Sequence, residues 1–228
     1  MNLILGDGLL GSAVIGASGW SFISRKEDGF DINKPNQWKS IIPNGTSIII
    51  NLVANTDTYS SDVFAMFNTN YRGVVDLVDY CNANKVKLVH FSTDYVYENS
   101  RTNTKETNKA KPVTPYAVSK LLADEYIMKH SNSHLILRGS QKIDPFPYDT
   151  AFTNVYGNFD YADTIADIVV EMIKTGATGL FNIGTPKKSM FDLAKLTKSD
   201  VKPGIAPEHF PKDITMNLNK MIEWLDQE

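Results

Sequence analysis

The sequence predicts an α/β fold in which helices cover both faces of a doubly wound parallel sheet. Six short runs rich in Ile, Val and Leu alternate with longer segments of helical periodicity. Such uniformly apolar runs are typical of parallel strands, because helices bury both of their faces. The strands are predicted over residues 3–5, 20–24, 47–53, 87–92, 134–138 and 180–183, and right-handed crossovers are expected to join them.

The segments between the strands supply the helices and two long loops. Helices are predicted over residues 10–17, 35–41, 61–84, 115–130, 161–175, 190–197 and 218–226. The polar stretch 98–111 is predicted to be a mobile loop, and residues 139–158, rich in Pro, Gly, Asn and Asp, are predicted to be irregular. Both follow predicted strand ends, where open α/β sheets bind their ligands.

The composition excludes several classes of protein. The chain has 228 residues, of which 42% are hydrophobic and 21% charged, as is ordinary for a globular protein. A net charge of −3 does not suit a nucleic-acid partner, and no apolar run approaches the roughly 20 residues of a membrane helix. The N-terminus has no signal-peptide pattern, and the single cysteine, Cys81, can form no internal disulfide. We therefore expect a cytoplasmic protein.

No metal site is expected. The histidines, His90, His130, His134 and His209, show no ligand spacing with one another or with acidic residues. A single cysteine also rules out a paired-cysteine zinc site.

A glycine motif directly after the first predicted strand indicates dinucleotide binding. The motif has the form G-x-G-x-x-G and consists of Gly6, Asp7, Gly8, Leu9, Leu10 and Gly11. The first glycine permits a tight turn, the second a close approach of the backbone to a pyrophosphate, and the third close packing of helix on strand. We therefore predict a Rossmann-type NAD(P)-binding domain over residues 1–138. Residues 139–228 are predicted to be an interleaved remainder that adds the last strand and a small, reduced substrate-binding portion, without forming an independent domain.

The residues after the second strand bear on the choice between NADP and NAD. An NAD site places an acid there to accept hydrogen bonds from the ribose hydroxyls. This chain instead has Arg25 and Lys26, two cations that can pair with a 2′-phosphate. NADP is therefore favoured as the cofactor. NAD stays open, because Glu27 and Asp28 follow at once and a shift of one residue would restore an acid.

A tyrosine and a lysine form a candidate proton-transfer pair. Tyr116 and Lys120 lie four residues apart on a predicted helix, for which Thr114 is a suitable N-cap and Pro115 a suitable first residue. That spacing places both side chains on one face. A nearby ammonium favours the phenolate form of a tyrosine. The spacing is common by chance. Its weight comes from its position 23 residues after Thr93, at the predicted carboxyl end of a buried strand and so at the same sheet edge as the glycine motif. The Thr93 hydroxyl can orient a reacting carbonyl.

Together these residues resemble the extended short-chain dehydrogenase/reductase family, and within it the dTDP-4-dehydrorhamnose reductases and their relatives that reduce keto-sugar nucleotides. The most specific likeness is the pairing of VHFSTDYVY at residues 89–97 with PYAVSK at residues 115–120. Further matching stretches, such as residues 51–54 and 159–166, extend the likeness over most of the chain. The resemblance implies reduction of the 4-keto group of a nucleotide-activated deoxysugar by NADPH, for nucleotide-sugar and polysaccharide biosynthesis.

The resemblance also implies a role for each matching residue of the catalytic part. Tyr116 would protonate the keto oxygen, and Thr93 would donate a hydrogen bond to the same substrate oxygen. Lys120 would bind the nicotinamide ribose and lower the pKa of the tyrosine. Asp94 and Tyr95 would face the sugar. Related dehydratases carry a glutamate where this chain has Tyr95, which favours simple reduction over dehydration.

On the cofactor side, the resemblance implies that Asp31 and Ile32 flank the adenine and that Val53 and Ala54 line the cofactor. Helices 61–84 and 115–130 could form the contact of a homodimer. The chain departs from the family after Arg138, where the segment that builds the nucleotide-sugar pocket is shortened. Two alternatives therefore stay open, an NAD-dependent nucleotide-sugar epimerase and a non-catalytic dinucleotide-binding regulatory subunit.

Overall fold

Six parallel strands form the central sheet of the computed structural model, which describes residues 1–58, 60–98, 100, 102–208 and 210–227. His209, one of the four histidines considered as metal ligands in the sequence, lies outside the described residues. The first part of the chain alternates strands and helices in the order β1 (Asn2–Leu5), α1 (Leu9–Ser18), β2 (Ser21–Ile23), α2 (Arg25–Asp28), α3 (Pro35–Trp38), β3 (Ile48–Asn51), α4 (Val63–Phe67), α5 (Gly73–Asn84), β4 (Lys87–Thr93), α6 (Pro115–His130) and β5 (His134–Gly139).

The second part of the chain contains mostly short elements. They are β6 (Gln141–Lys142), β7 (Thr150–Phe152), β8 (Tyr156–Gly157), β9 (Asp160–Tyr161), α7 (Ala162–Lys174), β10 (Gly179–Asn182), β11 (Lys188–Ser189), α8 (Met190–Lys195), β12 (Lys202–Gly204) and α9 (Asn219–Leu225). Strand β10 pairs with β5 and so extends the central sheet. The other short strands form three two-stranded pairs, β6 with β9, β7 with β12 and β8 with β11.

The strand order of the sheet is β10-β5-β4-β3-β1-β2, with every neighbouring pair parallel. The predicted fold class is confirmed by this topology. After β1 the chain goes to one side to form β2 and then crosses to the other side of β1 to form β3. A crevice therefore opens at the carboxyl ends of β1 and β3, the position where doubly wound sheets bind ligands.

Two hydrophobic layers cover the sheet, and β1 shows how one strand serves both. Ile4 belongs to the layer that contains Val14 of α1 and Val169 of α7. Leu3 and Leu5 belong to the opposite layer, which α5 and α6 help to form. Because successive side chains of a strand point to opposite faces, a strand buried on both sides must be apolar at every position.

The long helix predicted over residues 61–84 is interrupted. The structure has α4, then a π-helical segment (Asn68–Arg72), then α5. The segment reads Asn-Thr-Asn-Tyr-Arg, so the apolar period of the flanking helices is interrupted there and a polar residue takes the buried position. Asn70 is buried in it and bonds to groups far along the chain, which explains the local change of pitch.

The polar loop predicted over residues 98–111 is anchored at its middle. Thr104 is buried and bridges to Met216, its N–H donates to the Thr215 carbonyl, and Glu106 accepts a hydrogen bond from the backbone N–H of Asn182. Among the helices that the structure describes, none is both long enough and apolar enough to cross a membrane.

Candidate active site

The glycine turn between β1 and α1 has the geometry that its sequence predicts. Gly6 has φ +93°, a conformation that side chains strongly disfavour. A Cβ on Gly11 would lie 2.2 Å from the Gly6 carbonyl oxygen, so only glycine lets α1 pack this closely. A Cβ on Gly8 would have no heavy atom within 4 Å, and no side chain caps the N-terminus of α1. Backbone N–H groups at an uncapped helix N-terminus suit a phosphate, so these residues fit a dinucleotide.

Two adjoining cavities open along the crevice and share Gly8, Leu52 and Ala54 in their walls. The first cavity has a volume of about 410 Å³. The predicted site residues that line it are Gly8, Leu9, Leu10, Gly11, Ala54, Thr93, Tyr95, Tyr116 and Lys120. The second cavity has a volume of about 700 Å³. The predicted site residues that line it are Gly6, Asp7, Gly8, Arg25, Ile32, Val53 and Ala54.

Three of the predicted site residues line neither cavity as the described residues form them. Lys26 is 81% exposed and pairs with the neighbouring Glu27. Asp31 pairs with Arg25, at 3.3 Å between Nη2 and Oδ1. Asp94 is buried beside the first cavity.

Of the two acids that follow Arg25 and Lys26, Asp28 is used in the local backbone structure, and the Glu27 carboxylate pairs with Lys26. Strand β2 ends at Ile23, and the Ser24 hydroxyl caps α2 by accepting from the N–H of Glu27. The Asp28 carboxylate accepts from the N–H of Ser24 at 2.9 Å. Arg25 is therefore the cation of this turn that faces the second cavity.

Tyr116 stands at the start of α6, which begins at Pro115 and is capped by the Thr114 hydroxyl, as the sequence predicts. The Tyr116 and Thr93 side chains share a hydrogen bond, and the Tyr116 ring packs edge-on against Tyr95 with centroids 6.3 Å apart. Burial raises the pKa of Tyr116 to about 12, although the bond to Thr93 acts in the opposite direction. Tyr116 is thus held as a phenol at neutral pH, the form that can give a proton.

Lys120, four residues after Tyr116 on α6, makes its hydrogen bonds toward the interior of the fold. Its ammonium nitrogen turns inward to the Phe91 carbonyl oxygen, at 2.7 Å, and to His90 Nε2, at 3.1 Å. Burial lowers the pKa of Lys120 to about 8, while Asp124, one turn further along α6, favours the charged form.

Asp94 is an unusual carboxylate beside the site. Burial raises its pKa to about 6, against the attraction of Lys142 and the hydrogen bond from Thr93. One of its oxygens, Oδ2, is buried without a hydrogen-bond partner in the described part of the chain.

Sequence reasoning missed the buried amide of Asn70. Its Oδ1 accepts from the N–H of Asn55 at 2.7 Å, and its Nδ2 donates to the Ser119 hydroxyl at 3.1 Å. It therefore ties the loop after β3, which borders both cavities, to the helix that carries Tyr116 and Lys120. The partners are 15 and 49 residues away in sequence, so no local signal could have identified this role. Among the residues described, no group of three or more His, Cys, Asp or Glu side chains could hold a metal ion.

Comparison with known proteins gives one family match. The model of the RmlD substrate binding domain matches residues 2–142, more than half of the chain. This confirms the resemblance stated from the sequence.

Solved structures give the same picture of the fold. A hypothetical dTDP-4-dehydrorhamnose reductase from Sulfolobus tokodaii is similar, with a TM-score of 0.84, 21% identity, and coverage of 98% of this chain and 94% of that one. A dTDP-4-dehydrorhamnose reductase from Bacillus anthracis, in complex with NADP, has a TM-score of 0.82, 19% identity and coverage of 99% and 95%. The Bordetella bronchiseptica enzyme WbmG, in complex with NAD and UDP, has a TM-score of 0.78, 17% identity and coverage of 99% and 88%.

Proposed function

The chain belongs to the RmlD substrate binding domain family, and from this premise we propose that it reduces the 4-keto group of a nucleotide-activated deoxysugar with NADPH. The observation that carries the proposal is the meeting of Thr93, Tyr116 and Lys120 in one cavity that continues into the glycine cleft. A proton donor, a carbonyl-orienting hydroxyl and a dinucleotide cradle are the parts that a carbonyl reduction needs. The similar reductase from Bacillus anthracis was solved with NADP.

In the proposed reduction, each candidate residue has a separate role. Bound NADPH supplies the hydride for the carbonyl carbon. Tyr116, protonated at neutral pH, gives its proton to the carbonyl oxygen, and Thr93 orients that oxygen through its hydroxyl. Lys120 would hold the cofactor ribose, and Asp94 and Tyr95 would border the sugar. Asp31 and Ile32 would flank the adenine, and Val53 and Ala54 would line the cofactor.

The proposal is tested by following NADPH absorbance with purified protein and a dTDP-linked 4-keto-6-deoxysugar. We expect NADPH consumption that depends on the nucleotide sugar and a product that is reduced at C4. The free keto sugar without its nucleotide is the control and should react far more slowly, because it lacks the binding energy of the nucleotide. No consumption with any keto-sugar nucleotide would contradict the proposal.

An epimerase is the second candidate, favoured by the similarity to WbmG, which was solved with NAD and UDP. An epimerase would keep tightly bound NAD through purification and would interconvert nucleotide sugars without net consumption of cofactor. A protein that binds the cofactor but converts no nucleotide sugar would instead be a regulatory subunit.

Removal of the Arg25 side chain should weaken NADPH binding selectively. Arg25 lines the second cavity, and a guanidinium is suited to a 2′-phosphate. We expect Arg25→Ala to raise the Kd for NADPH about tenfold and that for NADH little, as for the loss of one exposed charge-assisted hydrogen bond. Fluorescence titration of the bound cofactors measures both constants.

Lys26→Ala is the matched control, because Lys26 lies next in the chain but faces solvent and Glu27. It should change neither constant by more than about twofold. Equal losses for NADPH and NADH in Arg25→Ala would contradict the NADP preference.

We also propose that residues 139–228 serve as the substrate side of the same unit, since β10 completes the sheet of residues 1–138. A homodimer through helices 61–84 and 115–130 is also proposed, since Phe64 of the first and Leu122 of the second are exposed, and light scattering of the purified protein would measure the oligomeric state. A cytoplasmic location stays a proposal, to be tested by cell fractionation.

A further inference from the structure

Three buried polar side chains form a hydrogen-bonded row beneath the first cavity. Asn51 Nδ2 lies 3.1 Å from His90 Nδ1, and His90 Nε2 lies 3.1 Å from Lys120 Nζ. Asn51 and His90 have no exposed surface, and Lys120 is 2% exposed. The parallel register of β3 and β4 makes Asn51 and His90 direct neighbours. The row therefore connects the sheet to the lysine of the candidate site.

The hydrogen bonds of Asn51 fix the tautomer of His90. The side-chain oxygen Oδ1 of Asn51 accepts from the N–H of Val53 at 3.2 Å, which orients the amide so that its Nδ2 donates to His90. His90 Nδ1 is therefore an acceptor. Burial and the nearby Lys120 lower the pKa of His90 well below its usual range, so the ring is neutral. A neutral imidazole with an acceptor at Nδ1 carries its hydrogen at Nε2.

That hydrogen points at the nitrogen of Lys120. An ammonium has three donors and no acceptor, whereas a neutral amine has a lone pair that can accept from Nε2–H. The 3.1 Å gap between the two nitrogens has room for one hydrogen. The Phe91 carbonyl oxygen accepts from Lys120 in either state, more strongly from the ammonium, so it opposes the effect of His90. His90 therefore favours the neutral amine.

Titratable groups on the neighbouring elements face Lys120 as well. Asp124 on α6 favours the ammonium; its Oδ2 accepts from Arg138 Nε of β5 at 2.9 Å, and its Oδ1 is buried without a hydrogen-bond partner among the described residues. Tyr116 on α6 is a neutral phenol at neutral pH, and Asp94 follows β4. Burial lowers the pKa of Lys120 in the same direction as the imidazole hydrogen does.

We propose that His90 is a positioning residue of the reductase. Asn51 fixes the His90 hydrogen on Nε2, and that N–H donates to the Lys120 nitrogen and so disfavours protonation of Lys120. The catalytic role of Lys120 rests on the proposed function, whereas the effect of His90 on the protonation of Lys120 does not. Its consequence is a lysine that can release and regain a proton near neutral pH, beside a tyrosine that loses one in each turnover.

The competition is tested by NMR titration of the lysine side chains in the chain without cofactor or substrate, with the Lys120 signal assigned from Lys120→Met. In wild type we expect a midpoint near pH 8. Asn51→Asp should move the histidine hydrogen to Nδ1, and His90→Gln offers a carbonyl oxygen to the ammonium without adding charge. Both should raise the midpoint by about one pH unit or more, a tenfold gain in proton affinity. His134→Gln, a histidine on β5 away from the row, is the control and should not move it.

His90→Gln is the deciding variant, because the carboxylate of Asn51→Asp also attracts the Lys120 ammonium directly. His90→Asn, which likewise adds no charge, replaces it if it does not fold. A wild-type midpoint near the ordinary 10.5, or no rise in the folded variants, would overturn the proposal. The titration needs no substrate and is therefore independent of the reductase assay. If the midpoint lies near pH 8 and rises in the variants, but the protein shows no turnover, the result counts against the proposed function alone. In an active enzyme, the limb of the pH–rate profile that belongs to Lys120 should move in the same direction in both variants.

Discussion

Tyr116→Phe is expected to lower kcat by about 10²–10⁴-fold, the usual contribution of a positioned general acid. The substitution removes only the hydroxyl that bonds to Thr93, and the ring can still pack against Tyr95. Because the pKa of Tyr116 is raised to about 12, the wild-type side chain holds the transferable proton over the whole neutral range. Steady-state turnover of NADPH and the nucleotide sugar measures the loss.

The loss should lie in the chemical step and leave cofactor binding almost unchanged, with the Kd for NADPH within about threefold of wild type, since a phenol–phenylalanine exchange alters no charge at neutral pH. Tyr126→Phe is the matched control. It makes the same change on the same helix, but Tyr126 packs against Tyr71 and His130 outside the cleft. Its kcat should equal that of wild type. A Tyr116→Phe variant that kept wild-type turnover would remove Tyr116 from the mechanism and favour a different acid.

Gly11→Ala is expected to damage both stability and cofactor binding. The new Cβ would lie 2.2 Å from the Gly6 carbonyl oxygen, a backbone atom that cannot turn away. Helix α1 must therefore move away from the glycine turn, at a cost of about 1–3 kcal/mol in the free energy of unfolding, as for other overpacked sites. The same movement displaces the N–H groups that would hold the phosphates, so the affinity for NADPH should fall at least about tenfold.

Gly16→Ala in the same helix is the control, because a Cβ there would meet no heavy atom within 4 Å. It should raise the free energy of unfolding by up to about 1 kcal/mol, the difference in helix propensity, with no change in NADPH affinity. Urea unfolding and cofactor titration measure both variants. If Gly11→Ala behaved like Gly16→Ala, close packing of α1 on the turn would not be a requirement of the site.

Much of the fold could be predicted because its signals are local. The Ile and Val run at β3 and the runs at β4 and β5 fall within one or two residues of their predicted bounds, since a strand buried on two faces is apolar throughout. Helix α6 begins and ends as predicted, because its cap, Thr114, and its first residue, Pro115, are adjacent in sequence. The interruption by the π-helical segment could not be predicted, since the bonds of Asn70 that accompany it reach Asn55 and Ser119.

In the candidate site as well, the features that depend on neighbouring residues in the sequence could be predicted and the others could not. Gly6 and Gly11 could be predicted with their conformations, because turn, strand and helix are consecutive there. Lys26 was predicted with Arg25 as a cofactor contact, yet the cap of α2 at Ser24 turns it toward solvent. A short helix of this kind leaves no periodic pattern to read.

The sequence by itself determined which chemical groups this protein has and the edge of the sheet where they meet, because the motifs follow parallel strands, whose carboxyl ends share one edge, and because the i, i+4 spacing places Tyr116 and Lys120 on one helix face. Only the tertiary structure decided their charge states. The raised pKa of Tyr116 and the inward turn of Lys120 to His90 come from burial and from contacts between residues 30 positions apart. Desolvation and hydrogen-bond direction depend on what surrounds a group in space, so neither can be predicted from the order of residues in the sequence.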